Sequence, residues 1–324
     1  MATKRTGSVL FTGGTSGLGF CAARDIARAH PDYVVVLASR TDGDGAAQRI
    51  NKMLNQDNTV FLPLDLSDTN NVRTFAENWP SQRFPPIKAI LLNAGLQFPG
   101  ELKKSAQGIE KTFAVAHVGH ALLFHLMCPY LAKNARIVVT SSGTHDPAQK
   151  SGLPDAVYNT AEELAFPPAS TVNNQGRQRY ATAKLVNVLW TYAVHRRLSQ
   201  RVPDRGITIN AFDPGLVPGT GLGREAGWVV RFLLNHVLPH MLPVLRALYS
   251  ENVHTKEESG AALARLAVGV DVEGVSGKYF EGLKERESSK DSYDESKQDD
   301  LWAWTVKYLT EGREDEKVRF EEFK

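Results

Sequence analysis

Cysteine is scarce in this chain of 324 residues: there are two, Cys21 and Cys128, far apart in segments that read as helices. Such a pair argues against a disulfide framework and points to a reducing, intracellular setting. An excess of one charge is also lacking, since 38 Lys and Arg face 36 Asp and Glu for a net charge of +2. That field is too weak to hold a polyanion, so nucleic acid is not an expected partner. Long hydrophobic runs are missing as well. The nearest approach, 228–245, is interrupted by Arg231, His236, Pro239, His240 and Pro243, and falls short of the roughly 18 apolar residues that a membrane span needs. Residues 1–7 are short, basic and run straight into a strand, which leaves no room for a signal peptide. The expectation is a soluble, cytoplasmic protein without integral membrane contact.

What is present is ordinary globular composition, 42% hydrophobic and 23% charged, enough for a sizeable core. Short apolar, β-branched runs at 9–12, 33–38, 60–64, 89–93, 136–140, 207–212 and 277–280 alternate with helical patterns, notably 17–30, 109–131 and 179–200. Alternation of this kind predicts βαβ units and an α/β fold with a doubly wound parallel sheet. No repeat and no linker divides the chain, so a single domain over 1–324 is expected. Two stretches break the pattern, a polar one near 144–178 and an apolar, proline-broken one at 219–250. Long irregular insertions of this kind serve as lids and binding loops, or as surface excursions and oligomer contacts.

The first strand runs into Thr12-Gly13-Gly14-Thr15-Ser16-Gly17-Leu18-Gly19 and then a helix. Gly13 permits a tight turn, Gly17 lets backbone approach a pyrophosphate, and Gly19 lets helix pack on strand. The amides and dipole of the helix start then favour phosphate. An acidic residue ending the second strand would accept ribose hydroxyls and repel an added phosphate. Here Ser39-Arg40 stands instead, a planar cation suited to the extra phosphate of NADP(H), or an exposed arginine pairing with Asp42 or Asp44. Further on, Tyr180-Ala181-Thr182-Ala183-Lys184 sets a phenol and an ammonium at i and i+4 on one helix face. An adjacent ammonium lowers a phenol pKa and makes it a usable acid.

Together with Asn93-Ala94-Gly95 ending the fourth strand, Ser141-Ser142 ending the fifth and Pro214-Gly215 after the sixth, these motifs resemble the short-chain dehydrogenase/reductase family, in order, from Ser8 to about Leu309. The resemblance implies a Rossmann fold with its site at the carboxyl ends of the strands. It implies Ser142 as anchor of a substrate oxygen, with Ser141 as competitor, Tyr180 as acid or base, and Lys184 as holder of the nicotinamide ribose. It assigns Gly13, Thr15, Ser16, Gly17, Leu18 and Gly19 to the phosphates, Arg40 to the added phosphate, and Asp65 and Leu66 to the adenine side. Asn93, Ala94 and Gly95 would form the cleft wall, and Pro214, Gly215, Val217 and Thr220 would close over the nicotinamide. Taken alone, Asp65 reads equally as a helix cap and Asn93 as a turn residue. The insertion after Ser142, with 214–222 and Glu257-Glu258-Ser259-Gly260, resembles the protochlorophyllide-reductase branch and implies a bulky substrate.

One position departs from the family. Where its fourth helix reads NHxGH, this chain has Ala116-His117-Val118-Gly119-His120. The family asparagine anchors a water that relays protons to the lysine, and alanine has no polar side-chain atom. Either the proton relay is broken, or the pocket has recruited another group, such as a backbone carbonyl, a water chain or His117, and the second is the expectation. His117, His120 and His125 lack companion carboxylates or cysteines, so no metal is expected. The reading is an NADPH-dependent reductase of a carbonyl on a medium to bulky apolar small molecule. Oxidation of the matching alcohol, or a catalytically weakened NADP(H)-binding regulator, are its alternatives. The resemblance implies a homo-oligomer, whereas the apolar 229–245 segment favours a monomer with a lid.

Overall fold

In the computed structural model, which describes residues 4–98, 100–219, 237–248 and 250–323, the strands form one eight-stranded sheet. They are β1 (Gly7–Thr12), β2 (Tyr33–Ser39), β3 (Thr59–Pro63), β4 (Ile87–Leu92), β5 (Leu131–Thr140), β6 (Thr208–Asp213), β7 (Tyr279–Glu281) and β8 (Lys284–Arg286). Their order is β3-β2-β1-β4-β5-β6-β7-β8, and every neighbouring pair is parallel except β7 with β8. The order reverses between β1 and β4, the point at which such sheets open a ligand crevice beyond their carboxyl ends. The central strands β1, β4 and β6 are buried on both faces, which is why they read as unbroken apolar runs.

Helices α1 (Gly17–Ala29), α2 (Ala46–Leu54), α3 (Thr69–Asn78) and α4 (Lys111–Phe113, Ala114–Val118 and Gly119–Met127 in one run) follow the early strands. After β5 come α5 (Ala161–Ala165), α6 (Gly176–Arg201), α7 (Leu242–Leu248), α8 (Lys256–Val268), α9 (Glu295–Thr310) and α10 (Glu314–Glu322). One core lies between the sheet and α3, α4, α6 and α9; the other lies under α1, α2 and α8. The run Lys111–Tyr130 is long and apolar enough to cross a membrane, a stretch that the sequence reading passed over. Its most apolar window is 89% buried inside the fold, as befits a core helix.

Some boundaries moved. The seventh strand begins at Tyr279 rather than at 277, because Gly277 takes a φ of +70°. The exposed β8, Lys-Glu-Arg, carries no hydrophobic pattern and was not anticipated. The 144–178 insertion is pinned from α9, where Asp300 accepts from the Tyr158 hydroxyl at 2.7 Å and the Ala161 amide at 2.8 Å. Of the expected lid at 219–250, residues 220–236 and 249 lie outside the described residues.

The carboxyl ends of β1 and β4 are joined through Thr12. Its Oγ1 accepts from the amides of Asn93 (2.9 Å) and Ala94 (3.1 Å) and lies 2.9 Å from His120 Nε2 on α4. His120 Nδ1 lies 3.2 Å from the Ala116 carbonyl, which can only accept, so Nδ1 carries the proton, Nε2 is an acceptor, and the Thr12 hydroxyl proton is shared between Nε2 and the Leu91 carbonyl at 3.2 Å. Burial pushes the His120 pKa down to about 4, so the ring is neutral as this tautomer requires. Replacing Thr12 with the isosteric Val strands two backbone donors and one ring acceptor. Urea unfolding of Thr12→Val should therefore show a loss of about 1–3 kcal/mol at unchanged m-value; a loss below experimental error would mean the clasp is dispensable.

Candidate active site

A cavity of about 700 Å³ runs along this carboxyl edge. It begins at the β1–α1 loop. Gly13 and Gly17 adopt φ of +70° and +57°, and a Cβ on Gly19 would stand 2.4 Å from the Gly13 carbonyl oxygen, so the loop and helix can close up only with glycine there. Ser16, the N-cap of α1, makes no side-chain cap bond, and the first turn holds no acidic residue. The helix start is thus open to an anion.

At the end of β2, Ser39, Arg40 and Thr41 line the same cavity. Arg40 is exposed and forms no ion pair among the described residues, because Asp42 is spent on the amides of Ala46 and Ala47 at the start of α2. Asp65 lines the cavity too, accepting from the Ser67 amide at 2.9 Å and hydroxyl at 2.7 Å; the cap of α3 is Asp68. Asn93 is a strand tie as well as a wall. Its Nδ2 donates to the carbonyls of Thr12 and Gly13, and its Oδ1 accepts from the Thr140 hydroxyl.

The reacting end is built by α6 lying across the end of β5. Lys184 Nζ donates to the Thr140 carbonyl at 3.0 Å, and Asn187 Nδ2 donates to the same oxygen at 2.9 Å. The Ser141 hydroxyl donates to the Lys184 carbonyl at 2.8 Å and is buried, which leaves Ser142 facing the cavity and the Tyr180 phenol. His145 holds Ser142 from behind. Its Nδ1 is 2.7 Å from the Ser142 carbonyl, while its Nε2 accepts from the Ser289 amide at 3.1 Å. The sequence reading missed His145, whose partner lies 144 residues away.

The electrostatics differ from the expectation that Lys184 lowers the Tyr180 pKa. Burial, aided by the nearby Asp213 carboxylate, pushes the phenol upward, and a Ser142 hydrogen bond opposes this only in part. Lys184, 5.5 Å from the Tyr180 ring centre, is turned to Thr140, and burial brings its pKa down to about 8. Ala116 sits in a π-helical turn, Ala114–Val118, and its carbonyl is taken by His120. His117 turns away from the cavity, donating to Thr305 Oγ1 on α9 at 2.7 Å, and cannot serve as the relay. His125 stacks on Phe320, 3.9 Å between ring centres. Among the described residues no cluster of three metal-ligating side chains occurs.

Every residue that the sequence assigned to the site lines this cavity except Thr220, which lies outside the described residues. Comparison with known proteins gives the family. A family model described as short chain dehydrogenase matches residues 8–160, and one described as AcuH dehydrogenase domain matches 224–318. The chain is 30% identical to retinol dehydrogenase 14 of Mus musculus over 308 residues, 91% of this chain and 83% of that protein. It belongs to the short-chain dehydrogenase/reductase family. It is also 28% identical to the chloroplastic short-chain dehydrogenase TIC 32 B of Brassica napus, covering 93% and 88% of the two chains. In fold it matches a short chain dehydrogenase from Burkholderia cenocepacia in complex with NADP, at TM-score 0.58, 18% identity and coverage of 86% and 97%.

Members of this family are oxidoreductases, and the two adjacent serines can be told apart by experiment. Ser142→Ala should cut turnover by about 100-fold with dinucleotide affinity intact, while Ser141→Ala should cost about 1 kcal/mol of stability and little rate. Steady-state kinetics beside urea unfolding would show it, and the reverse pattern would assign the oxygen anchor to Ser141.

Proposed function

We propose that the protein is an NADPH-dependent reductase of a ketone, aldehyde or conjugated carbonyl borne by a medium to bulky, largely apolar molecule. The observation that carries this reading is the convergence of Ser142, Tyr180 and Lys184 on one cavity that starts at an open helix N-terminus and at Arg40, which forms no ion pair among the described residues. The residues fit a dinucleotide: glycines where a Cβ would collide, unused first-turn amides, and a planar cation where a phosphate on the ribose would lie. When bound, the cofactor supplies a hydride. The chain's own part is to hold the carbonyl oxygen with the Ser142 hydroxyl and deliver a proton to it from the Tyr180 phenol. A phenol kept neutral by burial is a donor, which favours reduction over oxidation. The Lys184 ammonium then stabilises the phenolate left behind. Leu96, Leu153, Leu216 and Val217 give the substrate end of the cavity its apolar lining, in keeping with a relative named retinol dehydrogenase. A cytoplasmic location agrees with Cys21 and Cys128 both being free and buried.

The cofactor assignment rests on Arg40. Titration should show tighter binding of NADPH than of NADH, and Arg40→Ala should remove most of the difference, roughly the 1.5–3 kcal/mol of a hydrogen bond to a charged group. Equal affinities in the native protein would refute it.

The proton donor has its own signature. Tyr180→Phe should lower carbonyl reduction about 100-fold or more while NADPH still binds. Lys184 is cationic below about pH 8 and neutral above it. In the native protein kcat/KM should therefore fall as pH rises through about 8, and Lys184→Arg, whose charge persists, should move that limb upward. A flat profile to pH 10 would exclude the ammonium from the reaction.

A further inference from the structure

One buried ionisable group has no part in the chemistry described so far. Asp213 ends β6, is fully buried, and lines the cavity together with Tyr180, Lys184 and Ser142. Its position is fixed: Oδ1 accepts from the Gly215 amide at 2.9 Å, and Oδ2 accepts from Asn252 Nδ2 at 2.8 Å. A Cβ placed on Gly143, next to Ser142, would stand 3.1 Å from Oδ2, which sets the carboxylate beside Ser142 in the cavity. Among the described residues no cationic side chain forms an ion pair with it. The neutral groups around it, the Gly215 amide, the Asn252 amide and the Tyr279 hydroxyl, offset only part of the cost of taking a carboxylate out of water, and the nearby Glu281 carboxylate adds a like charge. Burial accordingly holds this carboxyl above the ordinary carboxylate range. The charge acts on its surroundings, favouring the protonated forms of both Tyr180 and Lys184.

A lone buried carboxyl of this kind stabilises whichever form of a neighbouring ligand is positive. In a nicotinamide dinucleotide the two redox forms differ in one charge. Loss of a hydride, a proton with two electrons, turns a neutral dihydropyridine ring into a pyridinium cation and leaves phosphates, riboses and adenine unchanged. We propose that Asp213 is the counter-charge for the oxidised nicotinamide ring, so that the cavity favours departure of the hydride toward the carbonyl. The inference rests on reading the cavity as a nicotinamide dinucleotide site. The competing role is mechanical. Asn252 also ties the loop after β6, since the Leu216 amide donates to its carbonyl at 2.8 Å, and Asp213 could act only by holding Asn252 in place.

Dissociation constants for NADP+ and NADPH, measured by calorimetry on the native protein, Asp213→Asn and Asn252→Ala, separate these roles. Asp213→Asn should weaken NADP+ roughly ten-fold relative to NADPH, the change expected when one close, poorly screened charge is removed. Asn252→Ala keeps the carboxylate and should leave that ratio within about two-fold. Asp213→Ser removes the charge with less bulk and should repeat the shift, which guards against misfolding of the amide variant. An unchanged ratio in neutral variants that still bind NADPH overturns the proposal and leaves the dinucleotide reading standing. A shift of equal size in Asn252→Ala overturns it in favour of the mechanical role. If the native protein binds neither nucleotide, the reading of the cavity fails, and the counter-charge with it.

Discussion

The hydroxyl of Thr12 is the contact on which the carboxyl edge of the sheet depends. It receives two backbone amides from the segment after β4 and shares its own proton between the Leu91 carbonyl and a neutral histidine on α4, so strand, loop and helix meet at one oxygen. Asn93, placed by the same contact, carries the tie on to β5 through Thr140. The Thr140 carbonyl in turn receives Lys184 and Asn187 from α6. A polar chain thus runs from the glycine-rich loop after β1 to α6. Each member is buried or half-buried, and each lost partner would leave a donor or acceptor stranded in a low dielectric. That penalty gives the site its rigidity, and rigidity is what oriented proton and hydride delivery requires.

The same burial sets the protonation states. Tyr180 and Lys184 are both deep in the fold, and desolvation moves each toward neutrality: the phenol keeps its proton and the ammonium holds its proton less tightly. An i, i+4 pairing alone would suggest that the lysine dominates the tyrosine. In the folded chain the ammonium is turned to a carbonyl, and the Asp213 charge acts on both groups, favouring their protonated forms. Sequence spacing establishes that two groups share a face; it does not decide where their polar atoms point.

The glycine loop, Ser39-Arg40 and the Tyr180–Lys184 pair were legible because each is a local pattern with a local cause, a turn, a strand end and a helix face. The parallel sheet was legible through apolar runs between helical stretches. What escaped the reading depends on distant residues or on an absent pattern. His145 acquires its meaning from Ser289, and Asp213 from Asn252 and a cavity that no short window contains. A charged residue directly before Pro214-Gly215, at the end of an apolar strand, was the available signal, and ending that strand at 212 hid it. The three exposed residues of β8 pair only because β7 is already in place, so nothing in their own composition marks them.

Ala116 lies in a helix distortion that is held without a polar side chain at that position. The π-helical turn Ala114–Val118 is present although the asparagine amide is not. An ordinary α-turn pairs each carbonyl with the amide four residues on; here the Gly119 amide reaches back five residues to the Ala114 carbonyl. The Ala116 carbonyl, near the middle of this distortion, is taken by His120 Nδ1, and that ring is fixed from its other side by Thr12. The helix distortion is therefore supported by a side chain one turn further on, and its shape does not require an amide at 116. Proton supply is a separate matter. With His117 engaged by Thr305 and His120 by Thr12, neither ring nitrogen that reaches out of this turn is free, and both rings are buried neutral. On the other side, Lys184 donates to the Thr140 carbonyl and is influenced by the Asp213 carboxylate, and both of those residues line the cavity.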